Sequence, residues 1–172
     1  MVVEHQTSLV HEMGELARAI DRPVRFMEVC GTHTVSIFRH GLRALLPANV
    51  RLVSGPGCPV CVTAQRHIDA AIRLSAIDKV IIATYGDMVR VPGELGSLER
   101  RRAEGADVRV VGSTRAALRL AERHPDRQIV FIAVGFETTA PATAATVLEA
   151  HRRGVENFSI LAAHKLVPPA MT

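Results

Sequence analysis

Six short apolar runs alternate with segments of helical periodicity, and this alternation constrains the chain more than any other feature. The runs are VRFMEV (24–29), VRLVS (50–54), KVIIATY (79–85), DVRVV (107–111), IVFIAV (129–134) and FSILAAH (158–164). Residues 8–20 place Leu9, Met13, Leu16 and Ile20 on one stripe, and Val35, Phe38, Leu42 and Leu45 mark a second helix ended by Pro47. Residues 62–76 are expected to be helical, with Ile68 and Ile72 facing in. SLERRRAEG (97–105) is stopped by Gly105, and Ser113 caps a helix that runs to Arg123 and is closed by Pro125. A further helix starts near Pro141 and ends before Gly154, and Pro168 and Pro169 are expected to stop regular structure. Strands alternating with helices of this length form βαβ units around a parallel sheet with right-handed crossovers. Strands that are almost wholly apolar fit a sheet covered on both faces.

The expected fold class is therefore α/β, a parallel-sheet α/β/α sandwich of Rossmann-like type. It is read as one complete unit plus the start of a second. The expected division is 1–125, carrying CGTHT and GPGCPVC, and 126–172, carrying GFETT and truncated at Thr172. An internal echo motivates the second unit. FMEVCGTHT (26–34) and FIAVGFETT (131–139) share a Phe, a Val three residues on, and a Thr-ending tip before a helix. Short strands resemble one another by pattern alone, so duplication and coincidence both stay open.

Composition narrows the function classes. At 172 residues the chain is about one domain, two at most. With 48% hydrophobic and 22% charged residues it is neither a disordered chain nor a coiled coil. No apolar stretch nears the ~18 residues a spanning helix needs. The opening MVVEHQTSLVHEMGEL has acids where a signal peptide needs a basic start. A cytoplasmic protein without a membrane partner is expected. The net charge of +4 and the pI near 9.5 raise the question of nucleic acid. The only dense basic run, Arg100–Arg102, lies beside Glu99 and Glu104 and reads as a solvated helix face. With no Trp and one Tyr the chain lacks a base-stacking platform, so no nucleic-acid partner is expected.

The three cysteines are Cys30, Cys58 and Cys61. A small, odd count points to metal binding or catalysis rather than a disulfide framework. They sit in tips that follow the apolar runs: CGTHT (30–34) and GPGCPVC (55–61), with YGDMVRVPG (85–93) and GFETTAP (135–141) in equivalent places. Strand carboxyl ends in one parallel sheet share an edge where ligands bind, so four distant loops are expected to converge on one site.

Each residue carries two readings. Cys30 precedes a helix N-terminus, which favours a thiolate, although a free Cys is often simply buried. Gly31 allows close approach of a ligand, and His33 can ligate metal or move protons. Thr32 and Thr34 can cap the helix or bind a ligand, and Thr138 joins them and Gly31 as a candidate cofactor-binding residue. Cys58 and Cys61, on a stiff Gly/Pro loop, can close a disulfide or share a metal. Cys30-x-x-His33 with Cys58-x-x-Cys61 would also supply a tetrahedral Cys₃His zinc shell. Glu137 is a base, a cation ligand or a first-turn acid complementing a helix dipole. Asp87 is a turn residue or a polar site member, and His164-Lys165 can reach the same edge. His5, His11, His40, His67, His124 and His151 show no paired spacing and are expected at the surface. There is no P-loop and no GxGxxG.

MEVCGTHT (27–34), SGPGCPVCVT (54–63), TYGDMVRVPG (84–93), GFETTAP (135–141) and HKLVPP (164–169) together resemble the HypD family of nickel–iron hydrogenase maturation proteins. The resemblance runs over nearly the whole chain. It implies a scaffold on which an iron centre with two cyanides and one carbon monoxide is assembled, more than a turnover enzyme. It would make Cys30 the iron-holding thiolate and Cys58/Cys61 a redox-active dithiol, with His33, Thr34 and Glu137 in the surrounding pocket. It further implies a HypC-type chaperone and a HypE-type cyanide donor as partners, and indirectly the hydrogenase large subunit. Family members are about twice as long, and their C-terminal part carries further cysteines that bind a 4Fe-4S cluster. This chain has none of those cysteines and reads as an N-terminal portion. The alternatives are a Cys₃His zinc-binding structural or interaction protein, and a thiol–disulfide oxidoreductase.

Overall fold

The computed structural model describes residues 11–170 apart from Cys30 and Pro56. Two compact units divide it, Met1–Cys58 and Pro59–Thr172. In the first, a helix over residues 11–18 (α1) precedes strand β1 (Val24–Glu28). Helices α2 (Gly31–Arg39) and α3 (Leu42–Leu45) follow, then strand β2 (Val50–Ser54). The single helix expected over Val35–Leu45 is broken at Gly41, whose φ of 62° lies in the left-handed region that favours glycine. β1 and β2 pair in parallel, in the register Val24↔Val50 to Glu28↔Ser54.

The second unit runs α4 (Gln65–Leu74), β3 (Val80–Thr84), α5 (Leu98–Ala103), β4 (Val108–Val110), α6 (Thr114–Arg123) and β5 (Gln128–Gly135). It ends with α7 (Ala140–Arg152), β6 (Phe158–His164) and α8 (Val167–Ala170). The four strands form one parallel sheet in the order β4-β3-β5-β6. Side chains alternate across it as the period of two requires. Ile82, Ile132 and Val134 pack with Ile68, Ala71 and Ile72 of α4 and with Met88 and Leu98. Ile81, Ala83, Ile129, Phe131 and Ala133 pack with Ala117, Leu120 and Ala121 of α6. Helices thus cover both faces, the expected α/β/α sandwich. Ser97 and Ser113 accept the N–H of Arg100 and Ala116, each at 3.2 Å, and so cap α5 and α6. Asn157 ties the end of α6 to the start of β6 by donating to the carbonyls of Ala121, His124 and Arg127.

Three expectations are corrected. A boundary between 125 and 126 would separate β3 and β4 from β5 and β6, yet Val80 pairs with Gln128 within one sheet, and the compact units meet after Cys58. Pro168 and Pro169 do not stop regular structure but lie in α8, where a first turn has no use for their missing N–H groups. In α1 the stripe expected to face in leaves Leu16 exposed, while Gly14 and Ala17 are buried; Leu9 lies outside the described residues. Among the described residues no helix is long and apolar enough to cross a membrane.

Candidate functional site

The four tips do not share one edge, because β1-β2 and β4-β3-β5-β6 are separate sheets, each with its own carboxyl end. In the first unit that end carries Glu28 and Ser54. Cys30, the expected thiolate, lies outside the described residues. Gly31, Thr32, His33 and Thr34 form the first turn of α2; the first three are exposed and Thr34 is half-buried. A Cβ at Gly31 would meet nothing within 4 Å, so packing does not demand glycine there. The Thr34 hydroxyl donates to Glu28 Oε1 at 2.8 Å. Arg43 donates to Ser54 Oγ at 3.3 Å, with its guanidinium 4.6 Å from the centre of the Phe38 ring. The Ser54 hydroxyl, Thr34 and the charges of Arg43 and His33 hold the Glu28 carboxyl below the usual range, against the opposing effect of burial.

The GPGCPVC segment starts at this same edge. Gly55 donates its N–H to the Glu28 carbonyl at 2.8 Å, and Gly57 donates to the Gly55 carbonyl at 2.8 Å. A Cβ at position 55 would lie 2.7 Å from the Met27 side chain and 3.0 Å from the Glu28 carbonyl oxygen. Only glycine lets the loop leave β2 this close to β1. Cys58, half-buried, closes the first unit, and Cys61, exposed, lies in the opening turn of the second. That turn is fixed by the Thr63 hydroxyl donating to the Pro59 carbonyl at 2.8 Å.

In the second unit the strand order places a topological switch between β3 and β5, since their connections leave in opposite directions. A cavity of about 460 Å³ there is lined by Tyr85, Ser113, Thr114, Thr138 and Thr139 among others. Glu137, Thr138 and Thr139 form a single exposed turn. Glu137 has a defined partner: its Oε1 accepts the Val167 N–H at 2.8 Å, so the carboxylate caps α8. Lys165 donates its N–H to the Gly135 carbonyl at 2.9 Å, which joins the GFETT and HKLVPP tips. A cavity of about 380 Å³ between them is lined by Glu137, Pro141, His164 and Lys165 among others. Burial pushes the His164 imidazole below its ordinary value, so it is neutral near pH 7. Asp87 is exposed in the 3₁₀ turn Gly86–Arg90.

Two carboxylates were not assigned from sequence. For Glu28 the signal is an acid ending an apolar run directly before Val29-Cys30. Asp69 is hidden on the inner face of α4. It is buried, and its Oδ1 accepts the Glu94 N–H at 2.8 Å, anchoring the end of YGDMVRVPG. Two histidines expected at the surface are half-buried. His67 is held below its ordinary value by burial first and then by Arg66 and Lys165, and His124 Nε2 lies 2.9 Å from Arg109 Nη1.

The family model described as "HypD: Hydrogenase formation hypA family" matches residues 4–172. The hydrogenase maturation factor HypD of Escherichia coli K12 is 45% identical over 170 residues, covering 99% of this chain and 45% of that protein. The HypD of Cupriavidus necator is 50% identical over 170 residues, covering 92% of this chain and 45% of its own. The HypD of Azotobacter vinelandii is 54% identical over 151 residues, covering 87% and 40%. The chain thus spans a little under half the length of these curated relatives. A match across almost every residue, with the CGTHT, GPGCPVC and GFETT tips at strand carboxyl ends, places this chain in the HypD family of hydrogenase maturation proteins.

Proposed function

We propose that this chain contributes to assembling the iron dicyanide–carbon monoxide unit of nickel–iron hydrogenase, as a scaffold in the cytoplasm. The iron is cargo. Cys30 holds it as a thiolate, a soft donor suited to low-spin iron. Cys58 and Cys61 act as a dithiol: forming their S–S bond releases two electrons and two protons to the centre under construction. His33 and Glu137 serve proton movement, and Gly31, Thr32, Thr34 and Thr138 bind the ligands of the iron. A HypC-type chaperone and a HypE-type cyanide donor are the working partners, with the hydrogenase large subunit downstream.

The observation that carries this reading is the family match together with the cysteines' placement. In the sequence the cysteines come after the β1 and β2 segments, and Cys61 is exposed. A 4Fe-4S cluster does not fit this chain. Three cysteines are fewer than the four such a cluster takes, and among the described residues no group of three or more metal-ligating side chains exists. No step is routed through a cluster.

Alkylation followed by mass measurement tests the dithiol. After mild oxidation, two thiols label only when reductant is added; if both label without it, the redox role is overturned. Cys30→Ala, placed in a full-length context, abolishes iron-ligand assembly while stability changes by about 1 kcal/mol or less. Retained hydrogenase maturation with that variant would sink the assignment. Elemental analysis adds a third outcome: one tightly held zinc with no reactive thiol would replace this reading with a Cys₃His zinc protein.

A further inference from the structure

The amino-terminal edge of the four-stranded sheet carries a third cavity, on the side opposite the strand carboxyl ends. It has a volume of about 320 Å³. Three connections build it: the turn from α4 into β3, the turn from α5 into β4, and the approach to β5. Lys79, Arg101 and Arg127 line it, with Asp78 and Asp107 as the only acids.

Of the two, Asp78 is exposed, and Asp107 is already paired with arginines. Asp107 is gripped by Arg109, Oδ1 to Nε at 2.9 Å and Oδ2 to Nη2 at 3.0 Å, and Arg127 lies farther off at 3.6 Å. Glu104 is shared by Arg100 and Arg101 through Arg100 Nε and Arg101 Nη1. That leaves the Arg101 Nε–H buried with no hydrogen-bond partner among the described residues. A buried donor without an acceptor is costly, so it marks a place where an acceptor belongs.

Lys79 is a second, independent sign. Its φ of 58° is the one left-handed value at a described residue other than glycine. The backbone task there is to offer a carbonyl to the Gln128 N–H at 2.9 Å, which glycine would do with less strain. The chain nevertheless keeps a lysine, one of only two, and that residue lines the cavity. Strain of this kind clusters at sites that use the side chain.

We infer that this cavity binds a small dianionic oxyanion of the phosphate class, with Lys79, Arg101 and Arg127 as its cationic lining. Two fixed guanidinium groups and a point-charge ammonium match the acceptor-rich shape of such an anion. The volume suits a phosphate group with little attached to it.

The test uses the 172-residue chain and inorganic phosphate, followed by backbone amide NMR at low ionic strength against chloride and acetate matched in ionic strength. Phosphate is expected to shift amides of residues 75–80, 101, 105–107 and 127 in a saturable way, where chloride and acetate do not. Lys79→Gly is expected to weaken phosphate about tenfold, the loss of one charge-assisted contact, with a thermal midpoint in plain buffer equal to or above wild type. Arg101→Gln weakens it too, and Lys165→Gln at the opposite edge leaves it unchanged. The inference is overturned if phosphate shifts no more than chloride, if acetate binds as tightly, or if folded Lys79→Gly keeps full affinity.

Discussion

Phe131, central in β5, is fully buried, whereas Phe26, central in β1, keeps 52% of its surface exposed. Both sit in an apolar parallel strand followed by a helix. The difference lies in what surrounds the strand. β5 is flanked by β3 and β6 and covered by helices on both faces. β1 pairs with β2, and Phe26 and Met27, on opposite faces, are both exposed. Among the described apolar residues of the first unit, only Ala17 and Val50 are buried. Two strands are marginal on their own, and parallel strands are normally covered. Strand pattern therefore announces a capacity for burial, and the count of neighbours decides whether it is realised. The exposed strand is the one that ends in Glu28 at the start of the CGTHT segment.

The largest test of this contrast is a pair of truncations. Phe131→Ala is expected to cost about 3–5 kcal/mol, the usual loss for a buried aromatic. Phe26→Ala is expected to cost about 1 kcal/mol or less. Urea unfolding of both variants measures the difference; equal losses would mean that the first unit has a core as tight as the second.

A smaller effect is expected from adding a methyl group. A Cβ at Gly93 would lie 2.7 Å from Ile72 Cδ1 and press on the buried Asp69 carboxylate. Gly93→Ala should cost about 1–3 kcal/mol through overpacking. Gly31→Ala, with open space around it, should change the midpoint by about 0.5 kcal/mol or less. A large loss at Gly31 would show that this glycine is needed for the fold of the first unit.

The smallest effect separates the units by pH. His67 and His164, both in the second unit, are pushed below the ordinary 6.5. Their folded forms resist protonation, so stability is full above about 6.5 and falls as the pH drops from there toward the folded values. Glu28, in the first unit, is held below the ordinary 4.5, so its contribution is present above about 4.5 and is lost as the pH falls through its lowered value. His164→Gln should flatten the stability profile just below pH 6.5, and Glu28→Gln should lower stability above about pH 4.5 and flatten the profile only further into acid. Chemical denaturation across pH reads both; an unchanged slope in His164→Gln would show that burial does not hold the imidazole neutral.

Sequence reading reached the second unit well because its signals are local. Ser113 caps α6 as its position implied, and Ile68 and Ile72 face in at helical spacing. The internal break at Gly41, the helix through Pro168-Pro169 and the division after Cys58 were not legible, since each depends on contacts rather than on spacing. At the candidate site the motifs were legible as tips, but the partners were not. Thr34 reaches back six residues to Glu28, and Glu137 reaches forward thirty to Val167. Such bonds arise only once the strands are in register. The shared edge failed as an expectation because alternation of strands and helices does not say how many sheets are formed.

The strand order has a consequence in time. β3 sits between β4 and β5, and 44 residues separate Thr84 from Gln128. On a ribosome adding about 5–20 residues per second, the β5-facing edge of β3 waits roughly 2–9 s for its partner to be made. During that interval Val-Ile-Ile-Ala-Thr presents open N–H and C=O groups beside apolar side chains. An inner strand of the finished sheet is thus an open edge of the unfinished one, and crowded synthesis would strain it first.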